Sequence, residues 1–255
     1  MIIQKATTKI CILRSLKFNL DRRTLQTLYF SFIRPIVEYA DIIWDNCPQY
    51  YKDRLESINI EAGRIITGAT KLVSLTCLYK ECGWETLNER RIKHKLILFY
   101  KILNGLTPDY LQTLIPPQHF QRHDYNTRHS SNYVHINCRT THHLHSYIPS
   151  VIRLWNDLPE NLKNISNIQK FKKELSSLDN KSTVPDYYHI GPRQAQILHA
   201  RLRMNCSALR HHLYLKNIEP SPYCSCYGIE TTAHFLFHCK NYTNSSASFK
   251  CSILL

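Results

Sequence analysis

Residues 87–104 read LNERRIKHKLILFYKILN, and their apolar side chains follow the pattern of an amphipathic helix. The apolar positions recur roughly once per helical turn, so they lie along one side of a helix and face a core. They are Leu87, Ile92, Leu96, Phe99 and Leu103, and Gly105 is placed to end the helix. The basic residues fall on the predicted outer face, where they are either a solvated surface or contacts to phosphate groups. The candidates for phosphate contact are Arg90, Arg91, Lys93 and Lys95, with His94 beside them.

The residues before this helix also favour helices. Residues 22–46 carry an apolar stripe formed by Leu25, Leu28, Tyr29, Phe32, Ile36, Tyr39 and Ile43. Pro35 must kink that helix or split it in two, because proline has no backbone N–H and clashes with the preceding turn. Residues 50–67 form a second predicted helix that buries Leu55, Ile58, Ala62 and Ile65 and ends at Gly68. Shorter helices are predicted near residues 75–80 and 109–114.

The character of the sequence changes between residues 116 and 149, where polar residues dominate without a helical period. Seven histidines (His119, His123, His129, His135, His142, His143 and His145) lack a regular spacing with thiols or carboxylates, which favours a polar loop over a metal site. Residues 133–137 are a candidate short strand. Order is predicted to return at 147–162, where apolar residues form a patch. Helices are predicted at 164–178 and 192–213, and residues 180–186 read as a linker. Basic residues on these later helices that are candidates for nucleic-acid contact are Lys172, Lys173, Arg201, Arg203 and Arg210.

Composition sets the class of protein and of partner. The chain has 255 residues, of which 43% are hydrophobic and only six are glycine, which is typical of a folded, mainly α-helical protein. Its 33 lysines and arginines against 19 acidic residues give a formal charge of +14. Such an excess attracts polyanions, so nucleic acid or an anionic surface is the expected partner, although an ordinary basic protein has the same composition. No signal peptide and no membrane span is predicted, so we expect an intracellular protein, nuclear or cytoplasmic, with no membrane partner.

A cluster of cysteine and histidine lies near the C-terminus. Cys224 and Cys226 are followed after seven residues by His234 and after four more by Cys239. Thiolate and imidazole ligands at short spacings favour a closed, tetrahedral structural zinc site. The first pair is tighter than the usual C-x2-C, and His238 is an alternative ligand to His234. The other interpretation is three unrelated cysteines, but an intracellular cluster of this kind is more often metal-binding.

Residues 28–44 read LYFSFIRPIVEYADIIW. This stretch resembles the segment that follows the catalytic palm in the non-LTR, LINE-type (jockey-like) retrotransposon reverse transcriptases. Further co-linear matches lie at 55–68, 99–108, 125–128 and 148–159, so the resemblance covers nearly the whole chain. The C-terminal cluster is similar to the family's CCHC zinc knuckle, and this resemblance selects His234 over His238. It implies a structural Zn2+ held by Cys224, Cys226, His234 and Cys239.

The resemblance implies a division into three parts. Residues 1–115 would be a helical, thumb-like region, 116–180 an irregular segment with basic helices, and 181–255 a basic helix with the zinc knuckle. In that family this region grips template RNA and target DNA while the palm copies RNA into DNA. The resemblance therefore implies a nucleic-acid-binding fragment of an RNA-directed DNA polymerase, with RNA, DNA and the polymerase palm of a longer product as partners.

The resemblance does not extend to catalysis. Glu38-Tyr39-Ala40-Asp41-Ile42 is similar to part of the polymerase Tyr-x-Asp-Asp motif, but Ile42 stands where the second aspartate would be. Two-metal phosphoryl transfer needs converging carboxylates, so we expect no catalytic residue, no Mg2+ site and no enzyme activity of this chain alone. Two other functions remain open: a domesticated, stand-alone nucleic-acid-binding protein, and a structural or interaction module or non-functional relic of a transposon.

Overall fold

The computed structural model describes residues 1–121, 131–178 and 184–243, and within these ranges the chain is mainly α-helical without a β-strand. The predicted fold class is therefore confirmed. The helices are α1 Ile2–Ser15, α2 Arg22–Leu28, α3 Arg34–Val37, α4 Asp41–Trp44, α5 Gln49–Thr67, α6 Leu75–Cys82, α7 Leu87–Leu103, α8 Thr141–Leu144, α9 Tyr147–Asn156, α10 Glu160–Lys163, α11 Ile168–Ser177, α12 Arg193–Arg203 and α13 Arg210–Tyr214. Short 3-10 or π turns lie at Tyr29–Ile33, Asp109–Leu114, His119–Gln121, Asp186–His189, His234–His238 and Lys240–Tyr242. None of the described helices combines the length and the apolar character that crossing a lipid bilayer requires.

The chain forms two compact units that interleave along the sequence. Unit 1 contains Met1–Val37, Arg54–Trp84 and Lys181–Leu255, and unit 2 contains Glu38–Asp53 and Glu85–Asn180. This division differs from the three consecutive parts that the resemblance implied, because helices distant in sequence pack against each other. Of the predicted linker at 180–186, residues 180–183 lie outside the described part of the chain.

Helix α7 is at the centre of the core of unit 2. It begins with a capping box, in which Thr86 accepts from the Glu89 amide and the Glu89 side chain accepts from the Thr86 amide. It ends before Gly105, whose φ of +66° is the left-handed conformation that glycine adopts without strain. Its apolar side packs on α9 and α11, as in the stacked rings of Tyr100 and Phe171, whose centroids are 4.4 Å apart. The buried residues of this core are Leu96, Phe99, Tyr100, Val151, Ile152, Trp155, Phe171 and Leu175.

The predicted helix over residues 22–46 is interrupted twice. A π turn at Tyr29–Ile33 precedes Pro35. In this turn the Arg34 amide donates to the Tyr29 carbonyl, five residues back. The helix then stops after Val37, and Ala40 takes a left-handed conformation with a φ of 51°.

The interruption changes which side of this segment is buried. The buried apolar side chains are Leu25, Tyr29, Ile33 and Val37, each four positions after the last. The predicted burial of Phe32, Tyr39 and Ile43 is wrong, since they are 57%, 73% and 79% exposed. The wider π turn rotates the later residues, so a stripe drawn for a regular helix assigns the wrong side.

Three other local predictions differ from the structure. The predicted helix at 192–213 is two helices, α12 and α13, separated where Asn205 adopts a φ of 52°. The candidate strand at 133–137 is reduced to one isolated bridge between Gln118 and Tyr133. Helix α1 lies where no helix is predicted from the sequence, and its buried side chains are Ala6, Ile10 and Leu13.

Candidate metal centre

Cys224 and Cys226 lie on a tight hairpin. The Tyr227 amide donates to the Cys224 carbonyl at 2.9 Å, and the Cys224 amide donates to the Gly228 carbonyl at 2.8 Å. Tyr227 carries the turn with a φ of 67°. The isolated bridge between Tyr223 and Ile229 closes the hairpin. The single residue between the two cysteines therefore suits a turn in which both thiols lie close together.

The other two side chains come from the helical turn that follows. Thr231 accepts from the His234 amide at 3.1 Å, and the Cys239 amide donates to the His234 carbonyl at 2.8 Å. Gly228 allows the imidazole to approach the hairpin, because a Cβ at this position would lie 2.7 Å from Cε1 of His234.

The four side chains meet at one point. Their ligand atoms all lie within 4.8 Å of one another, so the group can hold a metal ion. Cys239 Sγ is 3.7 Å from Cys224 Sγ and 3.6 Å from Cys226 Sγ, and His234 Nε2 is 3.1 Å from Cys226 Sγ. Zn–S bonds of about 2.3 Å in a tetrahedron separate the sulfurs by about 3.8 Å. The spacing of the sulfurs therefore fits a tetrahedral ion of the size of Zn2+.

The structure distinguishes between the two candidate histidines. His238 is exposed and lies outside the group of four, although it is adjacent to Cys239 in sequence. Within residues 1–121, 131–178 and 184–243, no other group of three or more such side chains meets in this way.

Polar contacts around the group hold the hairpin in place. Glu230 is buried and accepts from the Arg210 amide at 2.6 Å and from the Tyr242 hydroxyl at 2.6 Å. The hydrogen bond to Glu230 raises the pKa of Tyr242 to about 12, so that the hydroxyl remains a donor. Asn241 donates to Ser225 at 3.0 Å. Contacts of this kind orient ligand-bearing segments and tune metal affinity.

The thiol of Cys224 is predisposed to ionise. The backbone amide of Cys226 donates to it, and this hydrogen bond lowers the pKa of Cys224 to about 7. A metal ligand must be the thiolate, so a lowered pKa reduces the proton competition that a metal must overcome at neutral pH.

The basic residues of α7 lie elsewhere than predicted. Arg91 and Lys95 are only 4% and 5% exposed, so their placement on an outer face is wrong. Both reach Asp45, with Arg91 Nε 2.8 Å from Oδ1 and Lys95 Nζ 2.5 Å from Oδ2. Burial alone would raise the pKa of Asp45, but the Lys95 hydrogen bond and the charges of Lys95, Lys52 and Arg91 lower it.

The other candidate basic residues of α7, Arg90, Lys93 and His94, are paired as well. Arg90 pairs with Glu38, and Lys93 Nζ lies 2.9 Å from Glu85 Oε1. His94 Nδ1 donates to Asp41 at 2.6 Å. The acidic residues Glu38, Asp41 and Asp45 are spaced three and four apart in the sequence, as residues on one face of a helix are. This spacing is the sequence signal for an acidic face that complements the basic residues of α7. These contacts lie within unit 2 and reduce the positive charge that α7 presents to a ligand.

The other basic candidates are divided between paired and unpaired groups. Arg203 Nη2 lies 2.7 Å from buried Glu81, Arg210 donates to the Tyr223 carbonyl at 3.2 Å, and Arg201 Nε donates to the Gly68 carbonyl at 2.8 Å. Lys172 and Lys173 on α11 form no ion pair with any described residue, and Lys173 is exposed.

The fragment of sequence similar to a polymerase motif makes contacts within unit 2. Asp41 is 4% exposed and bound to His94, while the Tyr39 carbonyl accepts from Trp44 Nε1 at 2.8 Å. Both residues lie where the chain turns into α4.

Comparison with known proteins gives no assignment: no protein-family model, curated protein sequence or solved structure matches this chain.

Proposed function

We propose that this chain binds nucleic acid, as a C-terminal part of a LINE-type reverse transcriptase that lacks the catalytic palm, and that one structural Zn2+ holds its C-terminal module. The observation that supports this proposal most strongly is the meeting of Cys224, Cys226, His234 and Cys239 at the spacing of the family's zinc knuckle. The metal would stabilise a small segment whose own apolar core is limited. Its contribution is to structure and to grip, and catalysis is assigned to no residue of this chain.

The aromatic side chains of the module support binding of unpaired bases. Phe235 and Tyr242 pack edge to face with centroids 5.1 Å apart and serve the module itself. Tyr223, Tyr227 and Phe237 are 51%, 92% and 65% exposed. Exposed rings on a rigid support are the surfaces on which single-stranded bases stack. Tyr227 is the best placed, because the turn that follows the two cysteines holds its backbone.

Binding to single-stranded RNA or DNA is expected to weaken steeply as salt rises. Each phosphate contacted by a cation contributes about −0.7 to the slope of log Kobs against log[salt] for a single strand. Filter binding of a labelled oligonucleotide to the zinc-loaded chain at several salt concentrations measures this slope. Absence of binding at low salt would contradict the proposal, and a slope near zero would show that phosphates are not contacted.

Replacing Tyr227 with alanine is expected to weaken single-strand binding without loss of zinc. Stacking of one base on an aromatic ring contributes about 1–3 kcal/mol, so Kd should rise about 5- to 150-fold. Tyr110→Ala removes a similarly exposed ring, 67% exposed, from unit 2 and is the matched control. Equal effects of the two substitutions would exclude stacking on Tyr227.

A further inference from the structure

A basic pocket lies within unit 1, at the C-terminal ends of α1 and α5 and beside α12. Its volume is about 250 Å³. Its lining contains six cationic side chains and a single carboxylate, Glu61. The cationic residues are Arg14, Lys17, Arg64, Lys71, Arg193 and Arg201. This concentration of positive charge contrasts with Arg90, Arg91, Lys93 and Lys95 of α7, which are paired with acids.

Two kinds of group in this pocket would repel an anion, namely the backbone carbonyls at the end of α5 and the carboxylate of Glu61. Both already have cationic partners. Arg193 donates to the carbonyls of Lys17, Ile65 and Ile66 at 2.8, 2.7 and 2.7 Å, so it covers the negative end of α5. Burial lowers the pKa of Arg193 to about 10, which leaves it charged at neutral pH. Glu61, the one acid, lies 3.0 Å from Arg14 Nη2.

Several donors in the pocket lack an acceptor. Arg64 Nε and Thr70 Oγ1 are buried and have no hydrogen-bond partner. Lys17, Arg64 and Lys71 form no ion pair with any described residue, although Lys17 Nζ lies 4.4 Å from the centre of the Phe18 ring. Buried donors without acceptors are rare in folded proteins because they lose their bonds to water. A ligand that brings several acceptor oxygens would satisfy them.

The backbone of the pocket is held rigidly. Gly68 follows the last residue of α5 with a φ of +74°, and a Cβ there would lie 2.6 Å from Ile197 of α12. Helix α12 therefore packs directly on this turn. That contact places Arg193 and Arg201, one helical turn on either side of Ile197, against the carbonyls at the end of α5.

We propose that this pocket binds a phosphate group of a nucleic-acid strand, an inference that rests on the proposed function and names a site for it. A phosphate group carries negative charge, both as a free ion and within a nucleic-acid strand. It also offers several acceptor oxygens to the forked donors of arginine. Lys71 is exposed and the Arg14 side chain is 53% exposed, so the pocket opens to solvent and admits a phosphate within a longer strand.

The test compares two double variants of the full, zinc-loaded chain that remove the same amount of charge. Arg64→Gln with Lys71→Gln alters the pocket, whereas Lys5→Gln with Lys9→Gln removes two exposed lysines of α1 that do not line it.

Fluorescence anisotropy with a labelled single-stranded RNA measures Kd and its salt dependence. The pocket variant is expected to raise Kd at least about tenfold and to reduce the salt slope by about 0.7 for each phosphate that is no longer bound. The control variant should change Kd less than about twofold, because isolated exposed charges contribute little. Lys71→Gln alone is a second variant that leaves the buried part of the pocket intact, and it should give an intermediate effect.

A second measurement separates this inference from the proposed function. Inorganic phosphate, compared with chloride at equal ionic strength, should raise the melting temperature of the wild-type chain and of the control variant but not of the pocket variant. If the wild type binds RNA and both double variants lose affinity equally, the pocket is overturned while the proposed function stands. If the wild type binds no RNA but phosphate stabilises it through the pocket, the anion site is upheld and the proposed function fails. Absence of both effects overturns both.

Discussion

Replacing His234 with alanine is expected to remove bound zinc from the purified chain, which should otherwise carry about one ion. The imidazole supplies one of four ligands, and Cys226 Sγ lies only 3.1 Å from its Nε2. Loss of a residue that merely supports a ligand typically weakens metal affinity about 10- to 100-fold, and loss of a ligand should exceed that range. Zinc content after dialysis against a weak chelator and a competitive chelator titration measure the effect. Hydrogen exchange of residues 222–239 should rise together with the loss of metal, because metal binding and folding of this segment are coupled.

His238→Ala is the matched control for this experiment. It removes an exposed imidazole from the same helical turn and should leave the zinc content and the exchange rates unchanged. Loss of zinc in His238→Ala with retention in His234→Ala would show that the ligand set is wrong. Retention of zinc in both variants would show that the metal is not held by this cluster.

Replacing Glu81 with alanine is expected to lower the free energy of unfolding by about 3–5 kcal/mol. Glu81 is buried and pairs with Arg22, whose side chain is 1% exposed, at 2.7 Å. It also pairs with Arg203 at 2.7 Å, so its removal leaves a buried guanidinium without its counter-charge. An uncompensated buried charge destabilises a fold far more than removal of an exposed ion pair, and the total stability of a domain is only about 5–15 kcal/mol. Urea unfolding at a fixed zinc concentration measures the change.

Glu61→Ala is the corresponding control in the same unit. Its partner Arg14 is half exposed, so solvent screens the pair and its removal should cost at most about 1 kcal/mol. If the two substitutions destabilised the chain equally, the ion pair of Glu81 would not be the buried, stabilising interaction described above.

Local patterns in the amino-acid sequence were sufficient for the longest helices and for the candidate metal ligands. The bounds predicted for helix α7 agree with the structure to within one residue, because its apolar period and Gly105 depend on neighbours within a turn or two. The same holds for α5 and Gly68. The spacing of Cys224, Cys226 and His234 required only a hairpin and one helical turn to bring the ligands together.

Tertiary packing determined which side chains are buried and which cations are free. The broken helix around Pro35 shows that one wide turn changes which side chains after it are buried. A prediction that assumes a regular helical period does not include this effect. The phosphate-contact candidates Arg91 and Lys95 are partners of Asp45, more than forty positions away in sequence. Conversely, Arg64 and Lys71 carry no distinguishing pattern in the sequence, and they form a site only where α1, α5 and α12 bring them beside Arg193 and Arg201. Charge is a property of the sequence, but its availability to a ligand depends on long-range pairing and desolvation, which no local pattern encodes.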